Sequence, residues 1–206
     1  MSRHVRRAGL VRRLRELDGA AGRTTYADGA AIVEHAGERW TVRPPFGLAH
    51  ARVYEKVEPG PLFEALDEDH LVAALLVRLG GYAVGVLEGE RLVASKVGTR
   101  FVKGKHKKGG SSSNRFRRRR DEQARALIGA ATETAVGVLE PWRDRVEWVA
   151  LGGDRAGVRQ VLADPRLAWI EAKALPRFFT VPDPRQRDLE RLPYDLYAAE
   201  VTTAES

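Results

Sequence analysis

The chain has 206 residues, of which 43% are hydrophobic and 31% charged, and it contains no cysteine. This length can bury one substantial core with a small appendage, which excludes a peptide hormone or a purely disordered tail. The lack of cysteine excludes a disulfide scaffold and a cysteine-ligated zinc or iron–sulfur site. The chain opens with polar and basic residues and has no apolar run of about 20 residues, so we expect a cytoplasmic protein without a signal peptide or membrane span.

The positive charge of the chain is concentrated in one segment. Lysine and arginine number 35 against 28 acidic residues, which gives a formal net charge of +7. Residues 91–120 contain 12 of these basic residues and no aspartate or glutamate, whereas the rest of the chain is slightly acidic. This concentration predicts a binding surface for a polyanion.

Residues 1–60 are predicted to form a small N-terminal unit of one helix and one hairpin. Leucines at helical spacing predict a short helix over residues 10–17. Two strand-like runs, 31–34 and 39–42, predict the hairpin. Proline and glycine within residues 57–61 break both periodicities and predict the boundary with the next domain.

The second predicted domain covers residues 61–206. It opens with three apolar runs, 72–79, 82–87 and 91–97, whose tight glycine-containing separations predict a meander of strands. From Arg115 the apolar residues follow helical spacing until Pro141, which predicts a long amphipathic helix.

Beyond the long helix the elements are predicted to alternate. We expect strands at 146–151, 167–172 and 178–181, and helices at 154–162 and 185–191. The predicted fold class is therefore α/β, a mixed β-sheet with flanking helices.

Most catalytic templates do not fit the chain. The five histidines lack metal-ligand spacing, no phosphate-binding loop is present, and no serine lies in a nucleophile elbow. The one dense carboxylate group, Asp67 to Asp69 with Glu64, is typical of a solvated turn, and its alternative is the Mg²⁺ site of a metal-dependent nuclease. We expect no metal and no cofactor.

The segment 103–114 is polar, basic and glycine-containing, and it leads into the long helix. Arg117 to Arg120 turn through ~300° at 100° per residue, so no single helix face can bury them all. The helix dipole disfavours cations at this end, and bound phosphates would reverse that effect. A solvated helix start is the alternative to the RNA contact that we predict. The predicted RNA-binding residues are Lys103, Lys105, Lys107, Lys108, Arg115, Arg117, Arg118, Arg119 and Arg120.

Residues 109–122, GGSSSNRFRRRRDE, resemble the catalytic loop and following helix of the eukaryotic and archaeal class-I release factors. In that family a basic stretch leads to Gly-Gly-Gln, and the helix opens with Arg-Phe. The chain is still more similar to the Vms-like release factors in their actinobacterial, peptidyl-tRNA hydrolase form, to which 80–86, 95–100 and 179–184 also correspond. The resemblance covers roughly residues 67–195.

This resemblance implies a domain of ribonuclease-H-like fold that hydrolyses the ester between nascent chain and tRNA on the ribosome. The implied partners are large-subunit rRNA and peptidyl-tRNA, in termination or ribosome rescue, and we expect a monomer. In the family a glutamine positions the attacking water. The main alternative to a hydrolase is a non-catalytic ribosome- or tRNA-binding protein that has lost this glutamine.

The resemblance also implies the roles of the loop residues. Gly109 and Gly110 permit a close approach to RNA, and a backbone N–H there can stabilise charge on the leaving ribose oxygen. Asn114 carries the amide of the missing glutamine on a shorter side chain, so it is the predicted water-orienting group. A serine hydroxyl of Ser111, Ser112 or Ser113 is the alternative. A helix N-cap is the other reading for Ser113 and Asn114. The family spacings place the glutamine within four residues, none of which is glutamine here: Ser111, Ser112, Ser113 and Asn114.

Overall fold

A computed structural model describes residues 2–99 and 112–205, with the side chains of all of these except 112–117 and 205. The chain divides into two compact units, which we call unit 1 (1–69 with 192–206) and unit 2 (70–191).

Both units contain strands and helices. The strands are β1 (Ser2–Val5), β2 (Arg23–Ala27), β3 (Ala30–His35), β4 (Glu38–Arg43), β5 (Arg52–Tyr54), β6 (Leu71–Arg78), β7 (Gly81–Glu88), β8 (Arg91–Thr99), β9 (Trp148–Gly153), β10 (Ala174–Phe179) and β11 (Ala199–Glu205). The α-helices are α1 (Arg7–Leu17), α2 (Gly60–Asp67), α3 (Ser112–Leu139), α4 (Arg155–Leu162), α5 (Trp169–Lys173) and α6 (Gln186–Leu196). Short 3₁₀ turns cover Glu140–Trp142 and Pro165–Leu167.

Unit 1 is an antiparallel sheet packed against α1 and α2. Its strand order is β1-β11-β4-β3-β2-β5. The predicted hairpin is confirmed as β3 and β4, and the predicted helix is confirmed as α1, whose buried residues are Leu10, Leu14 and Leu17. These leucines recur every three or four residues, so one stripe of the helix packs on the sheet.

The limits of unit 1 differ from the boundary expected near residue 60. The unit continues through α2 to Asp69, and the end of the chain returns to it as β11. That strand pairs with both β1 and β4, and it buries Ala199 and Val201 in the core of unit 1. Long-range pairing of this kind leaves no local sequence signal.

Unit 2 is a mixed sheet with the strand order β10-β9-β6-β7-β8. The first three strands along the chain, β6 to β8, form an antiparallel meander. Strands β9 and β10 then add in parallel beyond β6. Numbered within the unit, this is the 3-2-1-4-5 order of ribonuclease-H-like folds, which confirms the predicted meander and the α/β fold class.

Helices cover both faces of this sheet. On one face the buried residues Leu127, Ala131, Ala135 and Leu139 of α3 share a core with alternate residues of β6. On the other face Leu189 of α6 packs close to Gly85 of β7. All residues of β6 except Arg78 are therefore buried, as expected for a strand with helices on both sides.

One predicted strand, 167–172, is wrong. This stretch forms the second 3₁₀ turn and then α5. The Asp164 side chain accepts a hydrogen bond from the backbone N–H of Arg166 at 2.9 Å, and Pro165 follows it at the first helical position. Both features start a helical turn. The other elements predicted after α3 are present with shifted bounds as β9, α4, β10 and α6.

Replacing Gly153 by alanine should destabilise unit 2. Gly153 has φ +94°, and a Cβ there would lie 2.2 Å from the Val77 carbonyl oxygen, so strain and steric overlap add. We expect a loss of about 3 kcal/mol in the free energy of unfolding, measured by chemical denaturation. Gly129→Ala is the control. Gly129 lies in the middle of α3, and a Cβ added there has no atom within 4 Å, so this substitution should raise the free energy of unfolding by about 1 kcal/mol. Equal effects of the two substitutions would contradict this account.

The acid stability of unit 2 should depend on Asp164. The Arg166 guanidinium, helped by the Arg166 backbone N–H, lowers the pKa of Asp164 to about 2 from its ordinary value of 3.8. Because the folded pKa is lowered, the stabilisation is complete above about pH 4 and is lost as the pH falls through about 2. In melting curves from pH 6 to pH 2, the melting temperatures of wild type and Asp164→Asn should therefore differ at pH 6 and converge towards pH 2. A difference that does not change with pH would contradict this assignment.

Candidate nucleic-acid interface

The first turns of α3 project beyond one edge of the unit 2 sheet. Strands β6, β8, β9 and β10 all end at this edge, which we call the carboxyl edge. The helix ends at the opposite edge, because only residues 143–147 separate its terminal 3₁₀ turn from the start of β9. Its 28 residues span about 42 Å at 1.5 Å per residue, whereas the eight residues of β6 span about 26 Å. The start of α3 therefore stands clear of the sheet.

The arginines described in this projecting part are accessible. The Arg118 side chain is 83% exposed, and its Nε lies 3.3 Å from Glu122 Oε1. An exposed pair of this spacing contributes only about 0.5 kcal/mol, so a phosphate can replace the glutamate. Arg119 is exposed, Arg120 is half-buried, and neither forms an ion pair with any described residue. These side chains are therefore available to a polyanion.

Two glycine-containing stretches that resemble the family, 80–86 and 95–100, meet where β8 approaches the carboxyl edge. Gly81 is paired with Thr99, and Tyr82 with Gly98. A Cβ at Gly98 would lie 2.4 Å from the ring of Tyr82, so the ring occupies the space that glycine leaves. The Tyr82 hydroxyl accepts a hydrogen bond from Thr134 Oγ1 of α3 at 3.1 Å. These contacts fix α3 against β7 and β8.

The predicted site residues divide into two groups. Eight of them have helical backbone within α3: Ser112, Ser113, Asn114, Arg115, Arg117, Arg118, Arg119 and Arg120. The other seven predicted site residues lie outside the described residues: Lys103, Lys105, Lys107, Lys108, Gly109, Gly110 and Ser111.

The start of the long helix was expected at Arg115, yet α3 already includes Ser112. The N-cap reading of Ser113 and Asn114 is therefore wrong, since a cap lies outside the helix and both residues are within it. Asn114 is held in a helical turn directly before the arginine run. Its role in orienting water stays a prediction.

Gln123 does not take the place of the missing glutamine. It lies nine residues after Asn114 in the same helix, which separates the two by about 13.5 Å along the axis. It is also half-buried. No other glutamine follows within α3.

The acidic group considered for a metal lies in unit 1, where Glu64, Asp67 and Asp69 are exposed around the end of α2. Among residues 2–99 and 112–205, no three His, Asp or Glu side chains are grouped so that they could hold a metal ion. The solvated-turn reading therefore fits these acids, and the nuclease reading gains no support.

The two units differ in net charge. Unit 2 contains 24 basic and 14 acidic residues, whereas unit 1 contains 11 and 14. The net positive charge of the chain thus belongs to the unit that carries α3.

The structure also places at the carboxyl edge three arginines that the sequence did not single out. Arg78 donates to the Val181 carbonyl oxygen at 3.3 Å, and Arg185 is paired with Asp183. Arg155 lies over the ring of Phe178, with Cζ 4.3 Å from the ring centroid. These arginines are far apart in sequence, and only the parallel strand order brings them to one edge.

The fold and the site together define an α/β protein whose ribonuclease-H-like unit presents a basic helix start at one edge of its sheet. The profile of the Actinobacteria/chloroflexi VLRF1 release factors matches residues 70–202 of this chain. The chain therefore belongs to that release factor family, which confirms the resemblance seen in the loop and helix sequence.

Relatives and solved structures are similar to parts of the chain. Peptide chain release factor subunit 1 of Archaeoglobus fulgidus is 33% identical over 93 residues, which cover 45% of this chain and 23% of that protein. The crystal structure of the archaeal translation termination factor aRF1 aligns with a TM-score of 0.44 and 15% identity, over 77% of this chain and 50% of that chain. A structure titled "Archaeal protein" aligns with a TM-score of 0.33 and 14% identity, over 75% and 46%. The chain thus spans about a quarter of the curated relative that it matches.

Within the described residues, no helix is both long enough and apolar enough to cross a membrane.

Proposed function

We propose that this protein is a ribosome-associated peptidyl-tRNA hydrolase that releases nascent chains in termination or ribosome rescue. Membership of a release factor family supports a role in translation. The observation that carries the proposal is the pair of exposed arginines Arg118 and Arg119, which lie near the projecting start of α3 and follow the Gly109-Gly110 segment in the sequence. In this proposal the protein acts in the cytoplasm as a monomer and needs no cofactor.

RNA phosphates are the proposed ligands of the basic residues. Arg118 and Arg119 lie on a rigid helix that is anchored in the core of unit 2, so their positions are set before binding. Contacts to phosphate fix the register of a protein on nucleic acid without reading its sequence. The arginine run would thereby hold the preceding loop in the peptidyl-transferase centre.

The loop would then act on the ester through its backbone and one amide. Water attacks the carbonyl carbon of the peptidyl ester, the bond to the ribose oxygen breaks, and a proton from the water ends on that oxygen. A backbone N–H of Gly109 or Gly110 would stabilise the developing negative charge. The Asn114 amide would orient the water, an effect that depends on accurate placement.

A non-catalytic binder is the second candidate function. The absence of glutamine at residues 111–114 favours it, because Gln123 lies too far along α3 to substitute. Such a protein would keep the RNA contacts and occupy the ribosome without releasing peptide.

One assay separates the candidate functions. Purified protein is added to stalled 70S complexes whose nascent chain and tRNA carry different labels, and both ribosome binding and products are measured. Free peptide with full-length tRNA is the expected result. Binding without release would identify the non-catalytic binder, and shortened RNA would identify a nuclease. Absence of ribosome binding would overturn the proposal.

A further inference from the structure

We propose that Arg155, held on the ring of Phe178, forms a second phosphate-binding site of unit 2 for an RNA strand that crosses the carboxyl edge. This inference rests on the proposed function in taking ribosomal RNA as the physiological ligand. It assigns a role to a residue 35 positions beyond the arginine run.

The Phe178 ring fixes the plane of the guanidinium. Arg155 is the first residue of α4, directly after β9, and its Cζ lies 4.3 Å from the ring centroid. Phe178 is itself half-buried, because it packs against the core that α3 and β6 share. A guanidinium stacked on a fixed ring loses less freedom when it binds a ligand than a mobile side chain does.

The hydrogen-bond donors of Arg155 are available. The side chain is exposed and makes no hydrogen bond or ion pair with any described residue, in contrast to Arg166, which is bound by Asp164 and Glu133. The neighbouring carboxylate, Asp154, accepts a hydrogen bond from the backbone N–H of Gly157 at 2.9 Å, so it caps α4. A planar guanidinium with free donors matches the geometry of a phosphate group.

Arg155 lies at the same edge of the sheet as the arginine run. The Asp154 backbone N–H donates to the Val77 carbonyl oxygen at 2.7 Å, which places the start of α4 beside the end of β6. A Cβ at Gly157 would be 3.9 Å from Ile128 of α3, so this first turn also touches α3. Arg120 lies eight residues before Ile128, or about 12 Å along the axis. A single strand that contacts the arginine run therefore passes within reach of Arg155.

The surroundings favour RNA over an acidic protein as the occupant. Unit 2 contains 24 basic and 14 acidic residues, and the exposed Arg118 and Arg119 lie on the neighbouring helix α3. Arginine also contributes cation–π contacts to single-stranded nucleic acid.

The test compares Arg155→Gln with Arg159→Gln. Arg159 is an exposed arginine one turn further along α4 whose side chain makes no hydrogen bond or ion pair with any described residue. Affinity for purified 70S ribosomes is measured at several KCl concentrations, and thermal melting verifies that each variant is folded. We expect Arg155→Gln to bind about 10-fold more weakly and Arg159→Gln to bind like wild type. The slope of log affinity against log salt should fall by about one for Arg155→Gln, as the loss of one phosphate contact requires.

A third variant tests the role of the ring. Phe178→Leu keeps an apolar side chain and the charge of Arg155 but removes the surface on which the guanidinium rests. We expect a weaker loss of affinity than for Arg155→Gln. No loss is expected for Leu162→Met, which changes another partly buried apolar residue at the end of α4, the helix that Arg155 begins.

The outcomes distinguish this inference from the proposed function. Equal binding by Arg155→Gln and Arg159→Gln would overturn the inference while leaving the proposed function intact. If wild type fails to bind ribosomes, the proposed function fails, and the same variants are then compared on a single-stranded 20-nucleotide RNA. Loss of oligonucleotide binding only in Arg155→Gln would support the phosphate site, and its absence would overturn it. If wild type binds ribosomes, the oligonucleotide is measured as well. Weaker ribosome binding by Arg155→Gln with unchanged oligonucleotide binding would then indicate an acidic protein ligand and would also overturn the inference.

Discussion

The double substitution Arg118→Glu and Arg119→Glu is expected to weaken ribosome binding by at least about 10²-fold in low salt. Both side chains are exposed on the projecting start of α3, so the change would replace two proposed phosphate contacts by two repulsions. The protein should remain folded, because glutamate near a helix N-terminus is favoured by the dipole while Glu122 opposes it by a similar amount. Co-sedimentation with 70S ribosomes measures the binding, and thermal melting measures the stability.

The matched control is Arg143→Glu with Arg145→Glu. These two arginines are also exposed, but they follow the other end of α3, and their replacement changes the net charge by the same amount. Binding by this control should stay within about threefold of wild type, since distant charges are screened at physiological salt. Equal losses in both double variants would show that only net charge matters, and unfolding of the first would show that its arginines are structural.

The substitution Asn114→Ala is expected to slow nascent-chain release by about 10²-fold or more while leaving ribosome affinity unchanged. The amide would act on a water molecule and not on a phosphate, so its removal should affect the chemical step alone. Single-turnover release from stalled complexes measures this step separately from binding. Gln123→Ala is the control, because this amide lies about 13.5 Å further along the same helix.

A non-catalytic protein would give a different pattern. Wild type and Asn114→Ala would then both bind and release nothing, and restoring glutamine at one of residues 111–114 should create release. If the protein releases peptide and still does so after residues 111–114 are all replaced by alanine, both the hydrolase that uses Asn114 and the non-catalytic binder are contradicted. The backbone or the rRNA would then be the catalyst.

The elements that the sequence predicts well are those with a local physical cause. The meander β6–β8 follows from apolar runs separated by glycine-containing turns, and α3 follows from apolar residues at helical spacing that end before Pro141. The packing of α3 agrees with this prediction, because Leu127, Ala131 and Leu139, which follow the helical spacing, are buried in the core.

Most of the features that sequence reasoning missed depend on distant parts of the chain. Strand β11 is held in place by β1 and β4, whose residues are about 160–200 positions away. The helical turns over 165–173 replace the expected strand because Asp164 and Pro165 start a turn, a local signal that the apolar run concealed. At the site, the stacking of Arg155 on Phe178 requires the parallel order of β9 and β10. The basic start of α3 could be predicted from the charge of the sequence alone. The arginines that lie beside it at the carboxyl edge, Arg78, Arg155 and Arg185, could not.

The central claim is that the segment leading into α3 hydrolyses the nascent-chain ester, and the most direct test is single-turnover release by the variant Gly109→Val with Gly110→Val. The arginine run is unchanged in this variant, so ribosome affinity should equal that of wild type. Wild type should release full-length peptide and leave intact tRNA, whereas the variant should release it at least about 10²-fold more slowly because the backbone donors and the close approach to RNA are lost. Release by the variant at the wild-type rate would contradict the account.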